Sequence, residues 1–71
     1  MSISVLNEWL NRIIEKGDQI KISKDEDVVY ARPVEIVAGD HLVYLDTSDG
    51  EICFLQLKYV EDRSIEISVC E

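Results

Sequence analysis

The hydrophobic period of this chain changes at Gly17: before it apolar residues recur as on a helix, and after it they alternate as in short β-strands. Ile3, Leu6, Trp9, Leu10, Ile13 and Ile14 fall three or four apart and form one continuous stripe, with Asn7, Glu8, Asn11, Arg12 and Glu15 on the other face. Ser2 or Ser4 can cap the first turn by accepting a hydrogen bond from a free backbone N–H. Lys16 and Gly17 supply the cation and the left-handed residue of a helix end. The pattern predicts a helix over 4–16 that lies as a lid on a sheet.

Residues 19–70 predict about five antiparallel strands. Ile20 and Ile22 alternate with Lys21 and Ser23, and Lys24-Asp25-Glu26-Asp27 reads as a polar turn. A strand opens at Val28 and continues past Pro33 to Val37 as one kinked strand or as two short ones, because proline removes a ladder donor. Ala38-Gly39-Asp40 marks the next turn, Leu42 to Leu45 the next strand, and Asp46-Thr47-Ser48-Asp49-Gly50 a loop whose Asp-Gly is a hairpin signal. Glu51 to Val60 is apolar on both faces and is expected to be the central strand.

The final strand, Ser64 to Cys70, is expected to pair with that central strand through a three-residue turn at Glu61-Asp62-Arg63. This register sets Tyr59 against Ile65, Leu57 against Ile67 and Leu55 against Val69, with Lys58 facing Glu66. Cys53 and Cys70 then point to opposite faces, which argues against a disulfide between them. The fold class is α+β: an N-terminal helix followed by about five antiparallel strands forming a small bent sheet or barrel, as a single domain over 1–71.

Charge narrows the partners. Fifteen acidic against seven basic side chains give a net charge of −8, and the basic residues are scattered. Such a field repels phosphate backbones and anionic membranes, so nucleic acid and membrane surfaces are disfavoured partners. No apolar run approaches the roughly 20 residues of a membrane span, and the expected compartment is the cytoplasm. A chain this short buries only about 60% of the surface its unfolded form exposes, so its stability benefits from a partner.

No catalytic set emerges. His41 is the one histidine and stands beside Asp40 in a turn, a surface arrangement rather than a base held against a nucleophile. Two cysteines and one histidine do not make a zinc site. Asp46-Thr47-Ser48-Asp49-Gly50-Glu51 opens like a calcium loop, but its glycine comes one place early and Leu57 stands where the bidentate glutamate belongs. The chain is therefore expected to be non-enzymatic, with no cofactor and no metal. Tyr30, Tyr44, Phe54 and Tyr59, together with Glu66, are the candidate interaction surface.

The order of a helix over Val5–Lys16 and strands at Gln19–Ile22, Val28–Val37, His41–Asp46, Glu51–Val60 and Ser64–Val69 resembles the Sm-like fold, an SH3-type small barrel. That resemblance implies ring assembly through the edges of the last two strands, and RNA binding in the pore. Leu57-Lys58-Tyr59-Val60-Glu61-Asp62-Arg63 lacks the basic residue with glycine, or the Lys-His pair, that would carry RNA binding. The expected function is a small acidic protein-interaction module that self-associates or docks on another protein. The alternatives are an Sm-like RNA binder and an acidic inhibitor, virus-encoded or not, that mimics nucleic acid.

Overall fold

In the computed structural model, which describes residues 2–70, helix α1 runs Ile3–Lys16 and is closed at both ends by local chemistry. The Ser2 hydroxyl accepts from the Val5 N–H at 3.3 Å. At the other end Gly17 takes φ 73°. This lets its N–H reach the Ile14 carbonyl and the Asp18 N–H reach that of Ile13, the paired closure of a Schellman motif. Leu6, Leu10 and Ile13 are buried along one stripe. The Asn7 amide donates to the Gly39 carbonyl at 2.7 Å and so ties the helix to a turn of the sheet.

Five strands follow: β1 Gln19–Lys24, β2 Asp27–Val37, β3 His41–Asp46, β4 Ile52–Gln56 and β5 Glu66–Cys70. A single helical turn, α2 at Lys58–Glu61, stands between the last two. The strands form one antiparallel sheet in the order β4-β3-β2-β1-β5. The α+β class expected from the period change is the observed one. Leu10, Ile20, Ala31, Leu42 and Leu57 are wholly shielded at the centre of the core.

β2 is one strand, and Pro33 is where it bends. Its first half pairs with β1 as far as Ala31 opposite Ile20, and from Ala31 onward it pairs with β3. Pro33 therefore lies beyond the β1 ladder, where one side of the strand has no donor to lose. The register slips between Pro33 and Glu35, a bulge that leaves Val34 as the extra residue. Straight, these 11 residues would span about 33 Å, against a longest dimension of 29 Å for the molecule.

The last third of the chain departs from expectation. The strand begun at Glu51 is an edge, not the centre, and it ends at Gln56. Leu57 is fully buried and accepts N–H bonds from Val60 and Glu61, which turns the chain into α2. Of the expected hairpin, the Ile65 N–H bond to the Tyr59 carbonyl forms, at 2.9 Å. β5 then pairs with β1, Ile67 opposite Ile22 and Val69 opposite Ile20. Leu57 therefore does not meet Ile67, nor Leu55 Val69. The physical reason is that β1 offers inward Ile20 and Ile22 to Val69 and Ile67, and the buried Leu57 diverts the chain before a tight turn can form.

Candidate functional site

β4 is an edge strand whose exposed face is apolar. Its inward residues follow the core: Leu55 opposes Leu42 and Cys53 opposes Tyr44. Its outward residues are Ile52, opposite Leu45, Phe54, opposite Val43, and Gln56, opposite His41. Phe54 is 69% exposed and Ile52 55%. Across β3 the bulge of β2 sets Glu35 opposite Val43, with Val34 exposed beside it. Contiguous apolar side chains at an unpaired edge are the usual mark of a contact surface, because the edge also presents free N–H and C=O groups.

The strand is held there by two similar turns. The Asp46 carboxylate accepts from the Ser48 N–H at 2.9 Å and from its hydroxyl at 2.7 Å. The hydroxyl first and the N–H second hold the Asp46 carboxyl below the usual aspartate range. Past β4, Asp62 accepts from the Ser64 N–H at 2.8 Å. Its carboxyl is lowered by the Ser64 hydroxyl, then by that N–H, with a lesser contribution from Lys58. Each edge strand is thus entered through an Asp-x-Ser turn.

The candidate interaction residues separate. Phe54 lies on the β4 patch, while Tyr30, half exposed, is on the outer face of β2 opposite Lys21. Glu66 is on the outer face of β5 opposite Ser23. Tyr59 is on α2, with the Lys58 ammonium 5.1 Å from its ring centroid. Tyr44 faces inward against the core, and its hydroxyl pKa is raised by burial first and then by neighbouring Cys53 and Asp46. Its side chain is partly buried. His41 Nδ1 and Asp40 Oδ1 stand 2.6 Å apart in the open.

Ile52 and Val34 also expose apolar surface, and the sequence pattern does not single them out. The signal for Ile52 is the run of apolar residues on both faces of Glu51–Val60, a pattern that a central strand and an exposed apolar edge share. A second feature is a cleft of about 440 Å³ between α1, α2 and β5. Leu6, Trp9, Val60 and Ile65 line it, with Arg63 and Glu66 beside them. Among the described residues, no helix is long and apolar enough to cross a membrane. No protein-family model, curated protein or solved structure matches this chain at a significant level.

Proposed function

We propose that this chain is a small non-enzymatic protein-interaction module of the small-barrel type, and that it self-associates through its β4 edge. The observation that carries this reading is Phe54, the most exposed large hydrophobic among the described residues, on an edge strand with no ladder partner on one side. Covering Ile52 and Phe54 would remove apolar surface worth about 25 cal/mol per Å² and pair the free backbone groups. β4, with the sequence Ile-Cys-Phe-Leu-Gln, carries no basic residue, which favours a protein partner over a nucleic acid.

The strand order, the helix preceding β1 and the helical turn between β4 and β5 support an Sm-like arrangement. In such an arrangement β4 and β5 are the edges open to assembly, as they are here. Sedimentation equilibrium from low micromolar concentration upward tests the reading. Assemblies that dissociate on substitution Phe54→Glu support it. A strictly monomeric chain with no co-purifying protein opposes it.

A further inference from the structure

We propose that two copies of this chain pair β4 against β4 about a two-fold axis, with Ile52 opposite Phe54 of the second copy and Cys53 opposite Cys53. The inference rests on the self-association reading and adds the partner strand, the symmetry and the register.

Backbone parity limits the choices. The Asp46 N–H donates to the Glu51 carbonyl at 2.8 Å, so Asp46 and Glu51 are a hydrogen-bonded pair. Alternation along an antiparallel ladder makes Tyr44–Cys53 and Leu42–Leu55 hydrogen-bonded pairs too. The N–H and C=O groups of Ile52, Phe54 and Gln56 then point to the open side. Two β4 edges can exchange hydrogen bonds only among those three residues, and three two-fold registers engage more than one of them on each copy. Centring on Leu55 pairs Phe54 with Gln56 and leaves Ile52 outside. Centring on Phe54 pairs it with itself and sets Ile52 against Gln56. Centring on Cys53 pairs Ile52 with Phe54 twice and covers the exposed apolar face on both copies.

Charge favours the same contact. β4 is the one strand with no Asp, Glu, Lys, Arg or His, so copies of net charge −8 can meet there without carboxylate facing carboxylate. Antiparallel pairing also brings the Lys58 end of each strand to the Asp49-Gly50-Glu51 end of the other, two opposite-charge encounters by symmetry. Pairing β4 with β5 of a neighbour would instead set Ile52 and Phe54 against the polar outer face of Glu66 and Ser68.

In the proposed register the two Cys53 residues form a non-hydrogen-bonded pair with Cα atoms about 4.5 Å apart, within disulfide reach. The variant Cys70→Ser leaves Cys53 as the one thiol and serves as the probe, oxidised with copper-phenanthroline and run on a non-reducing denaturing gel. The expected result is a shift from the single-chain band to twice its mass, lost when Phe54→Glu is added. Phe54 is exposed, so this second change leaves the core intact. Assemblies seen by sedimentation without the Cys53 cross-link, or a cross-link that Phe54→Glu does not diminish, overturn the register and symmetry while self-association stands. A monomer by sedimentation overturns both.

Discussion

The two edge strands of this sheet face the same physical problem and meet it differently. β5 turns its apolar residues inward, where Ile67 and Val69 pack on the core, and shows Glu66 and Ser68 to solvent. β4 also fills the core, with Leu55, but its outward residues include Ile52 and Phe54. A charged or polar outer face is a common defence of an unpaired edge. β5 has that defence and β4 lacks it, which is the ground for proposing β4 as the contact edge.

The largest expected effect lies in what separates the two edges. Leu57 is fully buried at the point where the chain leaves β4 and turns into α2. Leu57→Ala should cost about 2–5 kcal/mol, measured by urea denaturation. Phe54→Ala should alter the stability of the isolated chain by no more than about 0.5 kcal/mol. Comparable losses at the two positions would erase the distinction between a core anchor and an exposed contact residue.

Acid should act on the approaches to both edges. Asp46 and Asp62 have folded pKa values below the ordinary aspartate value, because Ser48 and Ser64 donate to their ionised forms. Their stabilisation is therefore present above the ordinary aspartate pKa of about 3.9 and is lost as pH falls through the lower folded values. The double variant Asp46→Asn/Asp62→Asn should show a shallower loss of stability below about pH 4. An unchanged acid limb would mean the two turns do not hold the edges as described. Both carboxylates are solvent-exposed, so this effect is smaller than that of Leu57.

The smallest change concerns the entry to β5. Arg63 sits at φ 69°, a left-handed conformation that costs a side-chain-bearing residue roughly 1–2 kcal/mol. Glycine relieves this and increases the entropy of the unfolded chain, for a net stabilisation of about 0.5 kcal/mol. A rise in thermal midpoint for Arg63→Gly without any change in association would confirm that the β5 side is structural. A loss of association would give β5 a share in the contact.

Much of the fold was legible because local chemistry and tertiary packing agree. The stripe from Leu6 to Ile13, the Ser2 and Gly17 caps, and the Asp49-Gly50 turn each specify their own neighbourhood. Pro33 announced a bend, and the strand bends there. Strand partners were not legible, since Ile65, Ile67 and Val69 alternate in a way that suits β4 and β1 alike. The departure of the chain at Leu57 depends on a core that only the assembled sheet creates. Among the candidate surface residues, Phe54 is exposed, whereas Tyr44 turns to the core side because alternation along β3 puts it on the same face as Leu42.

Amide hydrogen exchange as a function of protein concentration tests the β4 edge most directly. The N–H groups of Ile52, Phe54 and Gln56 point away from β3, so they should exchange quickly in dilute protein and slow markedly as concentration rises, while β5 amides stay unchanged. Protection that appears along β5 instead, or exchange at β4 that is indifferent to concentration, would contradict the assignment of β4 as the contact edge.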